Sequence, residues 1–288
     1  MVIQYSPSGK TPPLSWNRRD LEQRFGFRGG RFTRVNGLFT FIGALLGTIA
    51  FYAAMIPLSG TYLGDMFTQR GPTQHATVFL SAWALMILLI KSQKLFLQRK
   101  ALNYSVVPEV SEFVLSSATV DQVVQQIMLI ADDPRQFLLY NRILIALSNL
   151  RNLGRVADVD DILRSQASQE ESSMETSYAI VQGFVWAIPV LGFIGTVLGL
   201  STAIGEFSGV LGTTKGVSEV SGALRGVTAG LSTAFETTLA ALVAALAIQL
   251  LMTILKKAEE EFLDECGEYC IRNVVNRLRI MPFEQDGE

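Results

Sequence analysis

The stretch Ala187–Leu200 reads AIPVLGFIGTVLGL, and it decides the fold class. It contains no charged residue, yet it carries one proline, three glycines and one threonine. It lies within Thr176–Gly205, a run of 30 residues without Asp, Glu, Lys or Arg. A helix of about 20 apolar residues can cross a hydrocarbon core about 30 Å thick. The stretch therefore predicts a transmembrane helix that is unusually rich in small residues.

Three more uncharged runs accompany it. Val35–Gly64 has 30 residues, Gly71–Ile90 has 20 and Thr237–Leu255 has 19. Backbone polar groups in lipid must bond within the protein, which favours helices over open strands. We therefore predict an all-α integral membrane protein with four transmembrane helices. The predicted spans are residues 35–58, 71–90, 178–205 and 227–255.

The distribution of Lys and Arg predicts how these spans are oriented. Residues 1–34 hold seven, the 59–75 loop one, 91–175 nine, the 206–226 loop two, and the tail from 256 five. The positive-inside rule places the rich segments in the cytoplasm, so both termini are expected inside. This predicts a cytoplasmic N-terminal segment at 1–34, a cytoplasmic helical domain at 91–177 and a cytoplasmic C-terminal helix at 256–288.

Helical patterns continue outside the spans. Asn141–Gly154 has apolar residues at helical spacing and ends on glycine. From Asp158 the chain has no Gly or Pro until Gly183, which predicts one long helix that enters the third span. Asn17–Phe27 could form a short amphipathic helix on the membrane surface. The tail is predicted to continue span four as a helix with one apolar stripe: Phe262, Cys266, Tyr269, Cys270 and Val274.

The sequence shows no motif for catalysis or for a metal site. Cys266 and Cys270 are the only cysteines, and the single histidine, His75, is far from them in sequence. Their spacing favours two structural thiols on one helix face. GFIGTVLG is not a phosphate loop, because it lacks the basic residue and the preceding strand. We expect no enzyme, no resident cofactor and no nucleic-acid partner.

The third span carries a stripe of small residues. Gly192, Gly195 and Gly199 share one helix face, and close helix packing explains them better than a direct ligand role. Pro189 leaves the carbonyl of Val185 without its usual partner and is expected to kink the helix. Thr196 lies beside the stripe.

The fourth span presents two polar faces. One face carries Thr238, Ala241, Ala245 and Gln249, and its neighbour carries Thr233, Glu236, Thr237 and Ala240. A carboxyl at a bilayer centre costs about 2.5–3.5 kcal/mol on insertion scales, and less near the ends. Glu236 therefore lies either in an aqueous or protein interior or at the membrane margin. Spans three and four could line a narrow polar path if several copies assembled around an axis.

These motifs resemble a known family. Ile188–Val197, IPVLGFIGTV, resembles the signature stretch of the MotA/TolQ/ExbB proton-channel family, and Gly230–Ala245, GLSTAFETTLAALVAA, resembles the final span of that family. The resemblance implies that Thr196 and Thr238 match pore-facing threonines. Pro189 matches the proline of the signature.

The resemblance also implies an assembly and a mechanism. Family members form homopentamers in the bacterial inner membrane around a dimer of a single-span partner similar to ExbD, TolR or MotB. An aspartate of the partner takes a proton or sodium ion near a ring of threonines, and ion passage turns the pentamer. Four spans with both termini inside correspond to the MotA branch, and Glu236 is the acidic candidate near Thr238.

The main hypothesis is thus a channel-forming subunit of an ion-driven rotary motor. The alternatives are a non-conducting scaffold that anchors a partner, and a substrate transporter, which the absence of charged midplane sites makes weaker. The proton is the expected ion. The hydroxyls of Thr233, Thr237 and Thr238 give sodium some weight, because oxygen ligands suit a hard cation.

Overall fold

The regular structure of the described residues is helical. The structure is a computed structural model that describes residues 12–27, 29–107, 115, 119–153, 156–211 and 217–278. Its α-helices are α1 (Trp16–Arg19), α2 (Leu21–Arg24), α3 (Gly37–Met55), α4 (Tyr62–Thr68), α5 (Pro72–Arg99), α6 (Val120–Ile130), α7 (Leu138–Leu153), α8 (Val156–Leu211) and α9 (Val217–Asn273). Short 3-10 helices lie between these helices at Ile56–Leu58, Lys100–Asn103 and Pro134–Gln136, and one follows α9 at Val275–Arg277. Residues 1–11 of the predicted N-terminal segment and residues 279–288 of the predicted C-terminal helix lie outside the described residues.

The chain divides into two compact units. We call the first the span unit; it comprises Gly37–Leu89 and Tyr178–Ile254. We call the second the flanking unit; it comprises Met1–Asn36, Ile90–Ser177 and Leu255–Glu288. Helices α5, α8 and α9 contribute residues to both units.

The span unit has an apolar exterior. Leu46 is 61% exposed, Phe193 64% and Leu246 62%, the reverse of a water-soluble domain. Four helices, α3, α5, α8 and α9, are long and apolar enough to cross a membrane. The prediction of a helical, multi-pass membrane protein with four candidate spans is confirmed. The orientation of those spans stays a prediction.

Aromatic contacts join helices α3, α5 and α8 of the span unit. The ring of Phe41 meets Trp83 edge-on, with ring centroids 5.1 Å apart. Trp83 Nε1 donates to Thr40 Oγ1 at 3.2 Å, and its ring lies 5.0 Å from that of Phe184. This half-buried indole therefore packs its ring against two other aromatic rings and has an acceptor for its N–H.

The segment predicted as the 59–75 loop contains helix α4. Thr61 caps it, because its Oγ1 accepts a hydrogen bond from the Gly64 N–H at 3.3 Å. The Asp65 carboxylate accepts from Gln69 Nε2 one turn later, at 2.8 Å. Short-range hydrogen bonds of side chains thus stabilise a helix in this segment. Its Lys and Arg count alone had predicted a loop.

The flanking unit has its own hydrophobic core. Helices α6 and α7 contribute to it together with the ends of α5, α8 and α9. The predicted helix at 141–154 is confirmed as α7, and the predicted long helix from 158 is confirmed as α8. The predicted stripe of the tail is buried in this core at Phe262, Cys266, Cys270 and Val274, with Tyr269 packed against it.

The single amphipathic helix predicted at Asn17–Phe27 is wrong. Two four-residue helices stand there, and Asp20 lies between them with extended backbone. The apolar Phe25 is 67% exposed, whereas Asp20 and Glu22 are buried. The reason is Lys94 on α5, whose Nζ lies 2.5 Å from the Glu22 carboxylate and 3.8 Å from that of Asp20. A buried lysine holds this segment by charge, and apolar periodicity gives no sign of that.

Candidate ion-pathway site

Helices α8 and α9 approach closely along the glycine stripe. A Cβ added at Gly192 would lie 2.7 Å from the Cβ of Ala241, which real side chains essentially never show. At Gly199 it would lie 3.0 Å from the carbonyl oxygen of Gly230. The glycines thus allow a helix contact that any larger residue would open. Their nearest neighbours belong to the same chain, so the stripe packs span three against span four within one subunit.

Two threonine hydroxyls meet in this contact. Thr196 Oγ1 on α8 and Thr238 Oγ1 on α9 hydrogen-bond to each other. Thr238 Oγ1 also lies 3.0 Å from the carbonyl oxygen of Gly192. Each hydroxyl carries a single proton and each also has a backbone carbonyl oxygen within hydrogen-bond distance, so either threonine can donate the bond between them. Both side chains are only half-buried, so part of each remains accessible from outside the chain.

Thr237 lies at the edge of the same contact. Its Oγ1 lies 3.1 Å from the carbonyl oxygen of Ala234, and Thr196 Oγ1 lies at the same distance from that oxygen. A Cβ at Gly195 would lie 2.7 Å from Thr237 Oγ1 and 3.0 Å from Thr73 Oγ1 of α5. Hydroxyl and carbonyl oxygens are therefore concentrated where three helices meet.

Glu236 and Thr233 occupy a different setting, around a residue that the sequence analysis did not select. Arg70, just before α5, places Nη2 2.8 Å from Glu236 Oε2 and Nη1 2.8 Å from Thr233 Oγ1. Ser232 Oγ donates to Glu236 Oε1 at 2.7 Å. Glu236 is 8% exposed, and its charge is met by one cation and one hydroxyl. One signal was available: Arg70 is the only Lys or Arg between Arg34 and Lys91, and a lone charge beside apolar runs needs a partner.

Pro189 lies inside the uninterrupted helix α8, half-buried and one turn before Gly192. The predicted ion-pathway residues therefore fall into two groups. The first is the threonine pair with Thr237 beside it, and the second is the Arg70–Glu236 ion pair with Thr233. Among the residues that the structure describes, no group of three or more His, Cys, Asp or Glu could hold a metal ion.

The two cysteines lie outside these groups. Burial raises the pKa of the Cys270 thiol to about 12 and raises that of Cys266 well above its ordinary value. Both thiols are therefore protonated at neutral pH and buried in the core of the flanking unit.

Comparison with known families gives a match. Residues 138–267 match the MotA/TolQ/ExbB proton channel family. The chain therefore carries a MotA/TolQ/ExbB family domain, which spans α7, α8 and most of α9 and includes Thr196 and Thr238. The resemblance drawn from the two motifs is thereby confirmed. Neither the curated proteins nor the solved structures contain a match to this chain.

Proposed function

We propose that this chain is the channel-forming subunit of a rotary ion motor in a bacterial inner membrane. The observation that carries the proposal is the Thr196–Thr238 hydroxyl pair at the α8–α9 contact, inside the matched family domain. A family that conducts protons needs a polar route through lipid, and this pair, with Thr237 beside it, places hydroxyl groups at the contact between two span helices.

The pair cannot carry an ion alone. Serine and threonine hydroxyls are not titratable near neutral pH, and the nearby carboxylate of Glu236 already has Arg70 as its counter-ion. We propose that the titrating carboxylate comes from a dimer of a single-span protein similar to ExbD, TolR or MotB. Five copies of the chain would surround it, with α8 and α9 inward, α3 and α5 toward lipid, and both termini in the cytoplasm.

The direct test is reconstitution of the native complex. The chain is purified from its own membranes with the proteins that accompany it, its subunits are counted by native mass spectrometry, and ion flux into vesicles is followed with a pH-sensitive dye. The proposal expects five copies, two copies of a single-span protein with an aspartate in its span, and flux only when both are present. Assembly with the partner but without flux under a gradient would instead support the scaffold hypothesis.

The identity of the ion is tested on the same vesicles. External sodium is exchanged for potassium at a fixed proton gradient, and flux is followed with a sodium-sensitive dye beside the pH-sensitive one. The proposal expects unchanged flux, since the proton is the expected cargo. Loss of flux in potassium would assign sodium and would give the oxygen atoms around Thr237 and Thr238 a coordinating role.

A further inference from the structure

A cavity of about 680 Å³ lies in the span unit, partly open and bounded by α3, α4, α5 and α9. Its volume falls in the range of about 300–1,000 Å³ that is typical of small-molecule sites. Most of its wall is apolar, including Phe51, Leu63, Leu85, Leu239 and Val243. The glycine-bearing face of α3 leaves it open at Gly47, where an added Cβ would meet no atom within 4 Å.

Two polar side chains on its wall have unmet hydrogen-bonding capacity. Gln74 is 1% exposed, and neither its amide nitrogen nor its amide oxygen has a hydrogen-bond partner among the described residues. Ser81 Oγ also lacks a partner there. Buried polar groups without hydrogen-bond partners are rare in native proteins. A ligand with polar atoms at this part of the cavity wall would supply the missing partners.

The polar and apolar parts are arranged along the length of α5. Gln74 lies in the first turn of the helix, and Leu89 marks the other end of the cavity wall. Gln74 and Leu89 are 15 positions apart, which corresponds to about 22 Å at 1.5 Å per residue; one leaflet of a bilayer core is about 15 Å thick. A helix about 10 Å wide over that length would need about 1,700 Å³, which is more than the cavity holds.

We propose that this cavity binds one acyl chain of a membrane phospholipid. The chain lies against the apolar residues toward Leu89. The ester carbonyl at its head accepts a hydrogen bond from Gln74 Nε2 once the buried amide turns toward the cavity. The site is separate from the threonine pair, and its occupancy does not depend on ion conduction.

The test uses the full chain in phosphatidylglycerol vesicles that contain a trace of phosphatidylglycerol with a diazirine in one acyl chain. After illumination, adducts are mapped by mass spectrometry. The expected result is labelling concentrated on cavity residues such as Gly47 and Ala244. Gly47→Leu fills the cavity and should lower that labelling at least about tenfold, whereas Gln74→Leu keeps the space, loses the polar partner and should lower it about threefold.

The matched control is Gly183→Leu, because Gly183 also lies inside a span-unit helix with nothing within 4 Å but does not line the cavity. It should label like the unmodified chain. Ala244→Phe serves as a second filling variant if Gly47→Leu does not fold. Equal labelling of the exposed Leu46 and the cavity residues would show ordinary surrounding lipid only and would overturn the proposal. So would a cavity that stays unlabelled because a neighbouring chain covers it.

Discussion

Arg70 Nη2 lies 2.8 Å from Glu236 Oε2, so the one carboxylate near the start of the fourth apolar run has a resident counter-ion in its own chain. Arg70 comes from the connection before α5 and Glu236 from α9, 166 positions apart by their residue numbers. The pair therefore ties the second and fourth span helices together. This pairing favours a structural role for Glu236, and our proposal therefore assigns the ion route to the threonine pair.

Removal of one residue of the Arg70–Glu236 ion pair should destabilise the folded protein more than removal of both. Arg70→Leu leaves the carboxylate of Glu236 buried without its cation, and we expect a loss of about 3 kcal/mol, at the low end for broken buried pairs because Arg70 keeps some exposure. The double variant Arg70→Leu with Glu236→Leu should recover most of that loss. The measurement is thermal unfolding in detergent, arranged as a double-mutant cycle.

The same double variant separates the two readings of Glu236. If the role of Glu236 is only structural, the double variant should conduct ions as well as the unmodified complex when equal amounts of folded protein are compared. A stable double variant that assembles but conducts nothing would return Glu236 to the ion path.

The glycine stripe predicts a steep position dependence of substitutions in α8. Gly195→Leu should separate α8 from α9 and from Thr73 of α5, because even a Cβ there would come within 2.7 Å of Thr237 Oγ1. We expect destabilisation of about 1–3 kcal/mol or more, as for overpacked cores, together with loss of the threonine contact. The measurement is the unfolding midpoint in detergent.

Gly183→Leu is again the matched control, since Gly183 on the same helix has open space around it. It should change the unfolding midpoint little. Equal effects at the two glycines would mean that α8 and α9 do not meet along this stripe.

The buried thiols predict low reactivity in the folded protein. Because burial raises the pKa of Cys270 to about 12, only about one thiol in ten thousand is ionised at pH 8. Iodoacetamide at pH 8 should therefore alkylate Cys266 and Cys270 only slowly in the folded protein, and at a rate set by its unfolding. In the variant Ser172→Cys, the introduced thiol lies at an exposed position and should be alkylated rapidly in the same sample. Rapid modification of all three cysteines in the folded protein would show that the flanking core is not packed around the native thiols.

Apolar runs and helical spacing predicted most of the helices. The four candidate spans follow from long runs without charged residues, and α7 follows from apolar residues at helical spacing. The extension of α8 follows from a stretch without Gly or Pro, and that of α9 from an apolar stripe. Helix α4 was missed, because its start depends on the Thr61 cap within a segment read only for its charge.

Long-range charge pairing was the part that the sequence could not supply. Lys94 with Glu22 and Arg70 with Glu236 join residues 72 and 166 positions apart, and no periodicity links such positions. The candidate site was predicted in part for the same reason. Small residues and threonines at helical spacing indicated Thr196 and Thr238 as site residues. Only the fold shows that their hydroxyls form a hydrogen bond and that Glu236 pairs with Arg70 instead.

The central claim is that the hydroxyls of Thr196 and Thr238 form part of the ion path. The most direct test is proton flux through the reconstituted complex that carries both Thr196→Val and Thr238→Val, with partner content checked on the same sample. The control carries Thr202→Val and Thr253→Val, two exposed threonines of α8 and α9 that bond within their own helices. Interhelical hydrogen bonds in membranes are worth about 0.6 kcal/mol on average, so both complexes should assemble. We expect flux to fall at least about tenfold in the first complex, the loss expected for about 1.4 kcal/mol, and to be unchanged in the control. Undiminished flux through an assembled Thr196→Val, Thr238→Val complex would contradict the claim.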